Sequence, residues 1–227
     1  MDIHQKKQID VINQIEERIN SNNINFTTVP PVEDYVSDNR ICLTSVHFPK
    51  VNLLNQVSEI IAELKKVEPN YYHYDNDSLH MTIKNIKVIN NPPLFSEDDI
   101  HKVKNVFSKI IPAHKKYKVF FYRLLLLPNN LALIGTTEPE LDSIVNDLDE
   151  QLKKVGVPDD KSYLNTKYFF SNMTLTRFEF ASEKFKNKIR ELSDTLIFKP
   201  YEVDKVSLVT SNAVLKKKKI IDTWSFK

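Results

Sequence analysis

The chain is poor in the residues that build redox centres, thiolate metal cages and glycine loops. It holds one cysteine, Cys42, in 227 residues, so an intramolecular disulfide framework and a cysteine-based zinc site are both excluded. Glycine occurs only as Gly135 and Gly156, neither of them in a glycine-rich run. Loops that wrap phosphates need glycine where backbone approaches the ligand closely, so ATPases, GTPases and nicotinamide dehydrogenases of the usual kinds are set aside. No hydrophobic run approaches the roughly 18 residues of a membrane span, and the polar opening MDIHQKKQID carries no signal-peptide pattern. A surplus of one charge is missing as well. Lys and Arg total 32 against 30 Asp and Glu, a formal net charge of +2, far from the basic surface of a protein that lives on duplex DNA. A reducing, cytoplasmic setting without membrane or duplex partners is the expectation.

What is present is an ordinary globular composition, 41% hydrophobic and 27% charged. Ile9, Ile12, Ile15 and Ile19 recur at helical spacing before NSNNINFTTVPPVEDY breaks the pattern, so residues 1–38 read as an amphipathic helix and a loop. Residues 39–227 read as a single bilobal domain in which one order of elements occurs twice. In the first half, RICLTSVHF is a strand and Leu53, Leu54, Val57, Ile60, Ile61 and Leu64 stripe a helix. A motif strand at 78–89 follows, then a helix capped by Ser96 and the buried strand YKVFFYRLLLL. In the second half, NNLALIGT is a strand, Leu141, Ile144, Val145, Leu148 and Leu152 stripe a helix, and a second motif strand spans 167–178. A helix capped by Ser182 and the paired strands VDKVSLVTS and IIDTWSF complete it. The run Lys216 to Lys219 reads as a solvated hairpin turn. Strand–helix alternation with no glycine-rich turn and with a terminal hairpin argues for an α+β fold of two similar lobes. Each lobe is an antiparallel-rich sheet with helices on its outer face, and the motif strands line a central groove.

The repeat is sharpest in HMTI, starting at His80, and NMTL, starting at Asn172. Apart from the first residue, the only methionines are Met81 and Met173, one in each copy. Strand alternation sets His80 and Thr82 on one face and Leu79, Met81 and Ile83 on the other. In the second copy Asn172, Thr174 and Thr176 share a face, with Met173 and Leu175 behind them. A regular strand turns Arg177 away from Asn172 unless a bulge redirects it.

These segments resemble the paired His-x-Thr signatures of the 2H phosphoesterase superfamily, which includes the RNA 2′,3′-cyclic phosphodiesterases also called 2′-5′ RNA ligases. HMTI matches the first signature, and NMTLTR matches the second in all but its leading residue. The C-terminal VSLVTSNAVLKKKKIIDTWSF is similar too, and the likeness runs from about Arg40 to the end of the chain. The resemblance implies a monomeric, metal-independent hydrolase with no cofactor, acting on a cyclic or 2′-5′ phosphodiester of an RNA end or small nucleotide. In-line opening of such an ester needs a base to take a proton from water and an acid to protonate the departing ribose oxygen. Imidazole suits both tasks, and hydroxyls can hold the non-bridging oxygens. The implied catalytic pair is His80 and Asn172, with Thr82 and Thr174 on the phosphate and Arg177, Tyr168, His73 and Tyr74 as further substrate contacts. His73, Asp75, Asp77 and His80 have ligand-like spacing but lack the glycine of a calcium loop, so no metal site is expected.

Asn172 is the departure. A carboxamide donates a hydrogen bond but exchanges no proton near pH 7, and general acid–base help is worth about 10² to 10⁴ in rate. Three readings stay open. A neighbour such as Tyr163, Tyr168 or His73 has taken over, the protein is a catalytically degenerate nucleotide or RNA-end binder with the same groove, or the residue was exchanged by design. A phenol of ordinary pKa near 10 is a poor base. The plainest alternative is a structural two-lobed protein whose strands repeat only because the chain is duplicated.

Overall fold

Strands from the two halves of the chain interlock in a computed structural model that describes residues 2–23 and 26–227. Positions 24 and 25 of the expected N-terminal loop lie outside the described residues. In chain order the elements are α1 (Ile3–Asn20), β1 (Ile41–His47), α2 (Val51–Val67), β2 (Tyr72–His73), β3 (Met81–Asn90), α3 (Glu97–Ile110), β4 (Tyr117–Leu127) and β5 (Asn130–Thr137). They continue with α4 (Glu140–Lys154), β6 (Ser171–Arg177), α5 (Glu183–Ser193), β7 (Tyr201–Val203), β8 (Lys205–Ser211) and β9 (Lys218–Ser225). The strands form two sheets, in the orders β3-β1-β8-β9 and β2-β6-β5-β4-β7, and every pairing is antiparallel. In each sheet the motif strand lies beside the first strand of its own half, β3 on β1 and β6 on β5. The third strand of each half crosses over, β8 onto β1 and β4 onto β5. The result is the two-lobed α+β architecture with a pseudo-two-fold relation between its sheets.

Local chemistry accounts for the helices. Ser96 and Asp99 form a reciprocal cap on α3, the Ser96 N–H donating to Asp99 Oδ2 at 2.8 Å and the Asp99 N–H to Ser96 Oγ at 3.2 Å. Glu97, Asp98 and Asp99 face the positive end of that helix. Leu53, Val57, Ile61 and Leu64 of α2, Ile100, Val103 and Phe107 of α3, the α4 stripe and Phe185 of α5 all enter one core. Met81 and Met173 lie in it at 1% and 0% exposure, the outer faces of both motif strands buried as alternation requires. Full burial of such a side chain contributes roughly 1.5–3 kcal/mol.

The seat of α1 differs from its sequence pattern. Its buried residues are Gln5, Gln8, Val11 and Ile12, so the buried face is rotated away from Ile9, Ile15 and Ile19. The physical reason is Gln8, whose amide donates to Thr137 Oγ1 at 2.7 Å and to the Phe169 carbonyl and accepts the Thr137 N–H at 2.8 Å. A fully satisfied amide tolerates burial, so a polar residue takes the centre of the contact. Ile12 packs beside it on Leu125, Ala132 and Ile134. Ala132 pairs with Thr174 and Ile134 with Asn172. Thus α1 lies on the inner face of the five-stranded sheet, the face that carries the second motif. His4 (2.6 Å from Asp142) and Arg123, which donates to Asn13 at 3.0 Å and pairs with Glu16, complete the seat.

The basic run at the β8–β9 turn is also tied down rather than simply solvated. Lys216 pairs with Asp75, Lys217 Nζ donates to the Ser37 carbonyl at 2.7 Å, and Lys218 Nζ to the Asp77 carbonyl at 2.8 Å. Among the described residues no helix is long and apolar enough to cross a membrane.

Candidate active site

The inner faces of the two sheets enclose a groove of about 380 Å³. His80 and Thr82 line it from one sheet, Asn172 and Thr174 from the other, and residues of β3 and β6 approach within 8 Å, Cα to Cα. The side chains of Thr82, Asn172 and Thr174 make no hydrogen bond to other described residues, so their donors are unspent. Both motif strands are shorter than their expected spans. His80 stands immediately before β3, and Tyr168 stays on the loop before β6, where it still lines the groove.

Backbone fixes the tautomer of His80. Its Nδ1 lies 2.8 Å from the Ser78 carbonyl, which can only accept, so Nδ1 carries the proton and Nε2 keeps its lone pair. Burial pushes the pKa down to about 4, Arg177 and Lys218 act in the same direction, and the Ser78 bond opposes them. The half-buried ring is therefore neutral near pH 7, an available proton acceptor.

Arg177 reaches the groove through an irregularity. Leu131 and Ala132, neighbours on β5, pair with Thr176 and Thr174, two apart on β6, which makes Leu175 an extra residue and reverses the faces beyond it. Thr176, expected beside Asn172, is instead fully buried, 3.2 Å from His73 Nδ1. Arg177 turns inward in its place. At 7% exposure its Nε donates to the Tyr74 hydroxyl at 2.9 Å, and the guanidinium lies over the rings of Tyr35 and Tyr74, 5.8 and 6.0 Å from their centroids. Its Nη1 has no partner, and no described carboxylate pairs with it. A buried cation without a counter-charge costs several kcal/mol.

A second cation, Lys161, was not marked by any sequence signal. It belongs to the loop between α4 and β6, which is pinned along the free edge of β3. Lys84 Nζ, almost wholly buried, lies 2.6 Å from Asp159 and 3.3 Å from Asp149. The Val88 N–H donates to Asp160 Oδ1 at 2.8 Å, and Lys87 Nζ donates to the Pro158 carbonyl at 2.7 Å. These tethers carry Lys161 into the groove, its Nζ 5.3 Å from the Tyr163 ring centroid and without a hydrogen bond or carboxylate partner among the described residues. Among the described residues the groove lining thus holds His80, Lys161 and Arg177 and not one Asp or Glu.

The remaining expected residues fall elsewhere. His73 does not line the groove. Its Nε2 is 2.7 Å from the Glu68 carbonyl and its Nδ1 faces Thr176, so both nitrogens are engaged beside α2. Tyr74 is 2% exposed and supports Arg177 rather than facing the groove. Tyr163 is ruled out as a stand-in base because its hydroxyl donates to Asp159 at 2.8 Å and burial raises its pKa. Cys42 lines the groove as a neutral thiol, pushed up to about 11 by burial. Asp75 is taken by Ser78 and Lys216, and no three His, Cys, Asp or Glu side chains converge on a cation position among the described residues.

The flank beside Asn172 is lined by the N-terminal segment. Val11, Ile15, Phe26 and Val29 of the N-terminal segment wall it together with Ile134 and Phe170. Thr27 and Ser162 lock the wall to the Lys161 loop, the Thr27 N–H donating to the Ser162 carbonyl at 3.2 Å and the Ser162 N–H to Thr27 Oγ1 at 2.9 Å.

No protein-family model matches the sequence, and a search of curated proteins finds no match. Solved structures do share the fold. Escherichia coli LigT complexed with 3′-AMP superposes with a TM-score of 0.55 at 13% identity, over 84% of this chain and 99% of that one. The protein TT0787 of Thermus thermophilus gives 0.54 at 12% identity over 82% and 97%, and a phosphoesterase gives 0.51 at 12% over 83% and 99%. Nearly the whole of each neighbour is therefore contained in this chain.

Proposed function

We propose that the protein is a 2H-type phosphoesterase that opens a cyclic or 2′-5′ phosphodiester of an RNA end or small nucleotide without a metal. The observation that carries this reading is the groove between the motif strands, where two cations have no carboxylate partner and the lining no acidic residue among the described residues. Similarity of fold to LigT, which has been solved with 3′-AMP, supports it.

In this reading the phosphate lies between His80 and Asn172. Thr82, Thr174 and the Asn172 amide donate to its non-bridging oxygens, and Arg177 Nη1 takes the charge that builds as water attacks. His80 Nε2 receives the proton of that water. Bound phosphate offsets the Arg177 and Lys218 charges that depress the imidazole, so His80 becomes a stronger base when substrate arrives.

The test is turnover of a 2′,3′-cyclic nucleotide and a 2′-5′ dinucleotide in EDTA, resolved by ion-exchange chromatography. Wild type converts one of them, and His80→Ala is slower by about 10² to 10⁴. Equal rates in the two proteins contradict the reading. Asn172 favours one alternative, a binder that kept the groove and lost the chemistry. That alternative gains if wild type binds without turnover and Asn172→His hydrolyses.

A further inference from the structure

We propose that Lys161 supplies the proton-transfer group that the second motif strand lacks, donating from Nζ to the departing ribose oxygen while His80 accepts from the attacking water. The inference rests on the phosphoesterase reading above. Of the other titratable groups that line the groove, Arg177 does not release its proton, the Cys42 thiol is buried and neutral, and the Tyr163 hydroxyl is held by Asp159. Tyr168 stands edge-on to His4 under Lys167. Lys161 combines a place in the lining, a nitrogen without a hydrogen bond among the described residues and a rigid mount.

The mount is specific. Asp159 Oδ1 accepts the Lys161 backbone N–H at 2.7 Å while Oδ2 takes Lys84 and the Tyr163 hydroxyl, so the loop is fixed through its neighbours and the ammonium itself stays free. The charged and titratable groups around it are Asp159 and Tyr163 of its own loop, Lys84 of β3, Cys42 of β1 and Arg177 of β6. Burial, Lys84 and Arg177 lower its pKa and Asp159 opposes them. An incoming phosphate adds negative charge and favours the ammonium, the form that donates.

The step balances. A bond forms from the water oxygen to phosphorus, and that water's proton passes to His80 Nε2. The bond from phosphorus to the ribose oxygen breaks, and the oxygen takes a proton from Lys161. Imidazolium and amine then return to their starting states through solvent, with one water consumed.

The test uses full-length Lys161→Arg, Lys161→Met, Asn172→His and the Lys161→Met/Asn172→His pair with a 2′,3′-cyclic nucleotide in EDTA. Lys161→Arg keeps the charge and the packing on Tyr163 but transfers no proton, so kcat falls by about 10² or more while KM stays within about three-fold. The double variant recovers activity relative to Lys161→Met, and the alkaline limb of its kcat–pH profile moves from the lysine to the imidazole range, a change that a structural role for Lys161 does not produce. Near-wild-type kcat in Lys161→Arg overturns the proposal, as does a double variant no faster than Lys161→Met. Turnover by Asn172→His but not by wild type overturns it while leaving the groove reading intact. If no variant turns over and none binds inorganic phosphate, both fall together.

Discussion

The two motif strands occupy equivalent places in related sheets, yet their ends are built to opposite specifications. The β3 end carries an imidazole whose tautomer is set by the Ser78 carbonyl and whose charge is suppressed by burial. The β6 end carries an amide that exchanges no proton, but a bulge at Leu175 brings a buried guanidinium into the groove and the preceding loop brings an ammonium. One strand keeps a neutral base; the other gathers fixed positive charge. Equivalent strand positions thus carry different chemistry in the two halves.

The largest effect that sharpens this contrast is catalytic. His80→Ala lowers kcat by about 10² to 10⁴, whereas Asn172→Ala, which removes one hydrogen bond and no proton path, changes it by roughly ten-fold or less. Comparable losses in both variants break the asymmetry.

Next is acid lability. His47, fully buried at the end of β1, has Nδ1 2.8 Å from the Lys205 carbonyl and Nε2 2.8 Å from the Tyr201 hydroxyl, and burial lowers its pKa to about 4. Below the unfolded value of about 6.5 the unfolded chain binds the proton and the folded chain does not. The stabilisation is fully present above that pH and is lost as pH falls toward 4, up to about 3 kcal/mol from His47 and an additional loss from His80. Urea midpoints at pH 7 and 4.5 measure it, and equal midpoints contradict the neutral, buried state of these rings.

A smaller change tests the charged strand. Arg177→Met removes a charge-assisted donor and should weaken inorganic phosphate or 3′-AMP binding by about 10- to 150-fold, read by calorimetry, without lowering stability in proportion. Unchanged affinity would separate the guanidinium from the ligand. Least of all, Ser96→Ala on α3 should cost about 1 kcal/mol in a urea titration and leave turnover untouched, because Ser96 does not line the groove.

How much of this was legible depends on whether a feature is periodic. Met81 and Met173 sit in strict alternation with polar residues, so their burial and the inward faces of His80, Thr82, Asn172 and Thr174 could be read directly. The helix stripes and the Ser96 cap were equally plain. The exchange of β4 and β8 between sheets was not, because strand composition does not name a strand's neighbour. The bulge at Leu175 leaves no mark in TLTR, so Thr176 and Arg177 were expected on each other's faces. Lys161 lies in the unpatterned loop PDDKSY, and its position follows from what Asp159 and Asp160 bind on β3. Gln8 shows the same limit, a polar residue buried because its partners come from β5 and the loop before β6.

The most direct measurement is a ¹⁵N-edited NMR titration of the imidazoles with a nucleoside monophosphate. The account predicts that free His80 is a neutral Nδ1–H tautomer down to about pH 4 and that the nucleotide shifts its Nε2 resonance and raises its pKa. A nucleotide that binds while His80 stays unperturbed would contradict the claim that this imidazole faces the phosphate.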